Sequence, residues 1–328
     1  MKIAFVTDGG LELGMGHIQH SITLAGELLH RAEICFLTKS DDIVANQIMT
    51  CGFKTYRLNN DNEVANSLRE MAPNVVIIDN LNVDERLAES VKSGTEAKLV
   101  ILNNVEAAAN SHADIAVSAD FGSNFKNLRF RDTKTGTLYF YGPKYWILRK
   151  EFLEFHKKAK LTPKRVEKIL LIFGGSDPSN LTSMVLDELL TLRASYKISV
   201  ILGAHFGHLG AFNRVLSKHQ DDRERVNVYR DARNVAELMY RADLVMASPG
   251  LSAFEALCVW TPVVLVPQNS FQRDTYQAYM AVLEMDKIPR LGQVLATADF
   301  VDPHDERISG LEIGQGMSEL IDAIIGSE

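Results

Sequence analysis

The stretch KIAFVTDGGLELGMGHIQHS, residues 2–21, decides the fold. It opens on the apolar run KIAFVT, which has the length of a strand and is too short for a buried helix. Four glycines follow within residues 9–16, and an amphipathic segment begins at His17. Strand, glycine turn and helix in that order make the first half of a β-α-β unit. Glycine permits a tight turn with positive φ and a close approach of ligand to backbone. The helix then offers its first free N–H groups beyond the end of the strand.

Outward from this stretch the same unit recurs. The runs EICFLT (33–38), NVVIID (74–79), KLVILN (98–103) and DIAVSA (114–119) alternate with amphipathic pieces such as HIQHSITLAGELLH and DDIVANQIMTCG. A second series, KILLIFGG (168–175), KISVILG (197–203), VNVYRD (226–231), DLVMASPG (243–250) and PVVLVPQ (262–268), alternates with NLTSMVLDELLTL, NVAELMYRA and LSAFEALCVW. Continuous apolar runs suit parallel strands covered on both faces. The fold class is therefore α/β, with two doubly wound parallel sheets and right-handed crossovers. The 328 residues suit two domains of ~150 each. The basic stretch KKAKLTPKR (157–165) predicts a boundary that gives domains 1–156 and 157–328, and the last helix, GMSELIDAIIG, can pack on either.

Composition narrows the partners. A hydrophobic share of 46% and a charged share of 23% are those of a soluble globular protein. The net charge of −7 argues against a nucleic-acid partner. Cys35, Cys51 and Cys258 form no CxxC pair, and they read as reduced core thiols of a cytoplasmic protein. No apolar run approaches the ~20 residues of a membrane span. Asp8 ends the first run, so the stretch MKIAFVTDGG is not expected to act as a signal peptide.

In an open parallel sheet, ligands gather beyond the carboxyl ends of the strands. Four stretches stand there. In the first, Gly14 and Gly16 flank Met15, and His17 follows. The positive end of the helix dipole is expected to keep this imidazole neutral, fit to accept a proton as a general base. The alternative is a turn with a capping histidine. The spacing is not GxGxxG, so no dinucleotide cofactor is indicated. His20 lies one turn on, but no carboxylate partner is evident and no metal is expected. In the second, LIFGGSDPSN (171–180), the backbone at Gly174, Gly175 and Ser176 suits a phosphate, with Asp177 and Asn180 leading into a helix. It lacks the lysine of a P-loop, and Asp177 or Ser179 has an alternative role as helix cap. In the third, VMASPGLSAFEAL (245–257), Ser248 and Gly250 precede a helix start at Leu251 or Ser252 that suits a diphosphate. Glu255, one turn in, can accept two hydroxyls of a ribose, or else serve the helix end with Ser252 as cap. In the fourth, VPQNSFQRDTYQA (266–278), the amides of Gln268, Asn269 and Gln272 suit sugar hydroxyls or a solvated loop. Two such sheets facing a cleft would hold a nucleotide diphosphate on the second domain and reactive groups on the first.

GMGH, FGGSDPSN, SPGLSAFEAL, Gln272 and the segment YGPKYWILRKEF (141–152) together resemble one family. It comprises the UDP-2,4-diacetamido-2,4,6-trideoxy-altropyranose hydrolase and the spore-coat polysaccharide proteins of SpsG type. More distantly the chain is similar to the glycosyltransferase that adds N-acetylglucosamine to lipid II precursors. The resemblance implies a GT-B fold and a metal-independent site for a UDP-sugar, in keeping with the lack of a DxD pair. It implies His17 as base on the attacking water and Gly174, Gly175 and Ser176 near the phosphates. Gly250, Leu251 and Ser252 would be the helix-start amides, Glu255 the ribose carboxylate and Gln272 the sugar-facing amide. The sugar-reading half departs from the family. Asn80 and Leu81 stand where the hydrolase has tyrosine, Phe271 stands for asparagine, and LNNVE (102–106) replaces an acidic segment. The resulting expectation is a UDP-sugar hydrolase acting by single displacement with inversion, in surface-glycan precursor synthesis. Its rivals are an inverting glycosyltransferase and a nucleotide-sugar-binding protein without turnover.

Overall fold

A computed structural model describes the chain apart from residues 12, 104–106, 121–125, 159, 193, 278–279, 281 and 327–328. The segment LNNVE therefore lies largely outside the described residues. Contacts divide the rest into two compact units, Met1–Ile147 with Leu311–Glu328, and Leu148–Gly310.

In the first unit the strands are β1 (Lys2–Thr7), β2 (Glu33–Thr38), β3 (Lys54–Arg57), β4 (Val75–Asp79), β5 (Lys98–Leu102), β6 (Ile115–Ser118), β7 (Leu128–Arg131) and β8 (Leu138–Tyr141). Their order is β3-β2-β1-β4-β5-β6-β8-β7. All described pairings are parallel except β7 with β8. The reversal of winding between β1 and β4 follows from this order, and it is the switch point where doubly wound folds bind ligands. The central strand has no polar face. Ile3 and Phe5 enter one core with Phe36, Val75 and Ile77, and Ala4 and Val6 enter another with Val76 and Ile78. That is why the run reads as continuous rather than alternating.

The second unit carries β9 (Lys168–Ile172), β10 (Lys197–Leu202), β11 (Val226–Arg230), β12 (Leu244–Ala247) and β13 (Val263–Leu265). Their order is β11-β10-β9-β12-β13, all parallel. Here the winding reverses between β9 and β12.

The division differs from the expected one at both ends. The helix Lys150–His156 belongs to the second unit, because His156 Nδ1 lies 2.7 Å from the Cys258 carbonyl and Trp260 Nε1 donates to the His156 carbonyl at 2.8 Å. The chain therefore leaves the first unit after the buried run Tyr145–Ile147, ahead of the basic stretch. The terminal helix Met317–Ile325 returns to the first unit. Leu320, Ile321 and Ile324 share a core with Ile3 and Phe5, and the Lys98 ammonium caps its end through the Ala323 and Gly326 carbonyls. Of the thiols, Cys35 and Cys258 are buried as expected. Cys51 is exposed, because it follows the end of the helix Asp42–Thr50. No described helix is long and apolar enough to cross a membrane.

Candidate active site

The glycines after β1 build a short tongue. Gly10 and Gly14 exchange N–H···O bonds of 3.0 and 2.9 Å, with φ of +139° and +75°. Gly14 thus spends its amide on the turn rather than offering it to a ligand. Gly9 is fixed by proximity, since a Cβ there would stand 2.6 Å from Ile18 Cγ1. The helix Gly16–Leu28 starts directly behind the tongue, without a capping side chain or an acidic residue in its first turn. His17 is its second residue.

This start places His17 over the end of β4. Nδ1 lies 2.7 Å from Oδ1 of Asp79, the last residue of that strand and fully buried. Ser21, one turn down the helix, donates to Oδ2 at 3.2 Å, and Thr7 on the neighbouring strand donates to the Asp79 carbonyl at 3.0 Å. A buried carboxylate requires such partners. With Nδ1 committed, Nε2 is the ring nitrogen left for proton transfer, on a side chain 18% exposed. Burial pushes the His17 pKa down. The hydrogen bond and charge of Asp79, with the charges of Asp120 and Asp8, outweigh it, and the net direction is upward. The helix dipole therefore does not set this imidazole's charge; the carboxylates do.

Around this pair stands a polar rim from the ends of β1, β2 and β4. Asp8 accepts from the Lys39 backbone at 2.7 Å and from Thr38 Oγ1 at 3.2 Å. The Asn80 amide clasps Asp8 through both its oxygen and its nitrogen. His20 is 3% exposed, packed at 4.9 Å between ring centroids from Trp146. Burial pushes its pKa down to about 4, against the pull of Asp79 and helped by His17, so it is neutral at pH 7.

Asp79 was not singled out in the sequence, although it carried a signal: a carboxylate closing a strand otherwise wholly apolar. It also supplies the carboxylate that the His17–His20 pair lacked on paper, since the three residues bring one ligand atom each within 4.8 Å of one another.

In the second unit the predicted residues gather at the ends of β9, β12 and β13, with different roles. Gly174 adopts φ +81°. Ser176 and Asp177 are buried. Both Asp177 oxygens cap the helix Leu181–Thr191, accepting from Leu181 N at 2.9 Å and Thr182 N at 2.8 Å. Asn180 accepts from Ser183 Oγ at 2.6 Å. Asp177 and Asn180 are thus helix-end residues, and that helix dipole is already satisfied. Gln272 also departs from expectation: its Oε1 accepts from Gln268 N at 2.7 Å and its Nε2 donates to the Pro249 carbonyl at 3.0 Å, so it ties two loops together. Gln268 is similarly engaged with Phe173, Asp177 and Ser179, and Asn269 caps the helix Ser270–Tyr276.

The helix Leu251–Cys258 is different. Its N-cap is Gly250, at φ +135°, with no capping side chain and no acidic residue in the first turn. The N–H groups of Leu251 and Ser252 lie in the first turn, where an α-helix has no intrahelical acceptor for them. Ser248 Oγ beside it is shielded from solvent without a hydrogen-bond partner. Glu255 is buried, with Arg149 Nη2 at 3.2 Å from Oε1. Burial raises its pKa to about 7, against the charge and hydrogen bond of Arg149 and with a small push from Glu151. Sequence spacing gave no hint of Arg149. Nor did it indicate His205, whose backbone N–H donates to the Gly175 carbonyl at 3.1 Å and whose ring nitrogens are both shielded and unpartnered.

No family model matches the chain. Three curated proteins are similar to it. The uncharacterized protein MJ1062 of Methanocaldococcus jannaschii is 39% identical over 99% of this chain, which spans 66% of that relative's length. The spore coat polysaccharide biosynthesis protein SpsG of Bacillus subtilis is 25% identical over 85% of this chain and 81% of its own. The UDP-2,4-diacetamido-2,4,6-trideoxy-beta-L-altropyranose hydrolase of Campylobacter jejuni is 22% identical over 78% of this chain and 88% of its own. Among solved structures, Acinetobacter baumannii MurG superposes with a TM-score of 0.62 at 12% identity, covering 99% of both chains. The calicheamicin glycosyltransferase CalG4 gives 0.63 at 11% identity over 98% of this chain and 97% of its own. Anabaena HepE, solved with UDP-glucose, gives 0.55 at 12% over 98% and 100%. With two doubly wound units of this kind, the chain has the GT-B fold, and in sequence it is similar to SpsG and to the UDP-2,4-diacetamido-2,4,6-trideoxy-beta-L-altropyranose hydrolase.

Proposed function

We propose that this protein hydrolyses a UDP-sugar at the anomeric C–O bond. The observation that carries this reading is the 2.7 Å contact between His17 Nδ1 and buried Asp79, which fixes the tautomer with a basic Nε2. Nε2 takes a proton from water as the water oxygen bonds to C1. The C1–O bond to the diphosphate breaks, its electron pair leaves with UDP, and C1 inverts. Negative charge developing on the leaving phosphate is met by the uncapped helix start at Gly250–Ser252 and by the turn at Gly174–Ser176. Glu255 accepts from the ribose hydroxyls, with Arg149 holding it in place. The hydrolase relative's name supplies the reaction type, and HepE's bound UDP-glucose supports the nucleotide.

The test is release of UDP from the hydrolase relative's substrate and from a panel of UDP-hexosamines without any added acceptor. Acceptor-free release, with one inverted free sugar per UDP, is the expected result. Release only when a sugar or lipid hydroxyl is added would instead make the chain a glycosyltransferase, the class that the name of its structural neighbour CalG4 gives for that protein.

The ribose contact predicts a pH dependence. A carboxylate accepts from two hydroxyls, and a protonated acid does so less well. With a Glu255 pKa of about 7, UDP binding weakens as pH falls below that value, by about tenfold between pH 8 and pH 6. Because phosphate also titrates in this range, the comparison ligand is 2′,3′-dideoxy-UDP, which lacks the diol. Calorimetry should show the extra loss for UDP alone. Arg149→Ala should move its onset to higher pH, since the guanidinium favours the ionised form. Equal pH profiles for the two ligands would remove Glu255 from the ribose site.

A further inference from the structure

We propose that His17, His20 and Asp79 form a site for one transition-metal dication of the zinc type, and that its occupation silences the base; the second half rests on the reading of His17 given above. His17 and His20 are spaced i, i+3 on one helix, and Asp79 closes the strand beneath them. His17 Nδ1 lies 2.7 Å from Oδ1 and His20 Nδ1 lies 3.9 Å from Oδ2. The second separation is too long for a hydrogen bond. The two separations bracket the ~3.3 Å that stands between neighbouring ligand atoms of a tetrahedral ion with bonds of ~2.0–2.1 Å, so side-chain shifts of about an ångström would bring the three onto one ion.

The surroundings of His20 point the same way. The Asn103 amide approaches its Nδ1 at 3.4 Å, and its Nε2 is buried without a partner. With its proton on Nε2, the neutral ring turns the Nδ1 lone pair towards Asp79 Oδ2, 3.9 Å away. Two electron-rich atoms facing each other in a buried setting favour a cation. His17 is the partly exposed member and gives an ion its way in. Two imidazoles and one carboxylate suit zinc, cobalt or nickel rather than magnesium or calcium. Ser21 and Thr7 already hold the carboxylate in place, as outer hydrogen bonds do at metal sites. Binding displaces the proton shared by His17 and Asp79, so affinity rises with pH. The metal then occupies the nitrogen that Asp79 would otherwise polarise.

The test uses the full chain carrying Cys51→Ser, which removes the exposed thiol, stripped with chelator and titrated with zinc chloride against a chromophoric chelator. One site is expected, weakened about 100-fold or more by His20→Leu. Cobalt(II) should give visible bands that His20→Leu abolishes. His20 is not part of the proposed base, so His20→Leu keeps acceptor-free UDP release and resists inhibition by zinc. If that variant misfolds, His20→Gln replaces it. Zinc affinity unchanged by both variants, or no site tighter than about 10 μM, would overturn the proposal. A His20-dependent site whose filling leaves UDP release intact would overturn the silencing and the base reading while leaving the metal site.

Discussion

His17→Ala is expected to slow acceptor-free release of UDP by about 10²–10⁴-fold, the usual share of a general base. UDP affinity should stay within about twofold, because the proposed diphosphate and ribose contacts all come from other residues. The separation matters, because a histidine that only shaped the fold would cost both quantities together. The alanine variant also leaves Asp79 buried with Ser21 as its remaining side-chain partner. Removing one member of such a pair costs about 3–5 kcal/mol of stability. His17→Gln, which can still donate to Oδ1, is the second variant, and it should keep the melting temperature while losing the rate. A glutamine variant with full turnover would dismiss His17 as the base.

Asp79→Asn is expected to lose a similar factor by a different route. Asparagine can present its NH₂ to Nδ1, which puts the ring proton on Nε2 and leaves no basic nitrogen for water. It also removes the charge that raises the His17 pKa. The base must be neutral to work, so kcat/KM climbs as pH passes the His17 pKa. In the native enzyme this limb lies above the ordinary histidine value of 6.5. Without the Asp79 charge, burial, the largest single influence on this ring, moves the limb down. The variant should therefore show a lower ceiling and a more acidic limb. An unmoved limb would show that Asp79 does not tune the base.

Much of the fold was legible because strands covered on both faces carry no polar alternation: VVIID and KILLI can hardly be anything else. Three strands of the first unit escaped notice: β8, a four-residue aromatic strand between β6 and β7, and the two edge strands. KTYR in β3 and LRFR in β7 are short and largely exposed, so no apolar run marks them. The terminal helix was visible, but its host was not, since an apolar stripe does not say which sheet it covers. The candidate site was half legible. His17 announced itself through the glycines before it and Gly250 through its place before a helix. Asp79 stands 62 residues from His17, and Arg149 stands 106 from Glu255. Only strand order brings such residues together. Asp177 shows the converse ambiguity: its type and position allowed both a phosphate turn and a helix cap, and its oxygens accept from the first amides of the helix Leu181–Thr191.

The most direct measurement is hydrolysis of the hydrolase relative's substrate, or of whichever UDP-hexosamine the panel shows to be consumed, in ¹⁸O-labelled water. Mass spectrometry then locates the label. The His17–Asp79 mechanism predicts one ¹⁸O on C1 of the released sugar and none in UDP, with the signal falling in His17→Gln in step with the rate. Label in the phosphate would mean that the P–O bond breaks, and label in the sugar at an undiminished rate in His17→Gln would mean that another group activates the water. Either result would contradict the account.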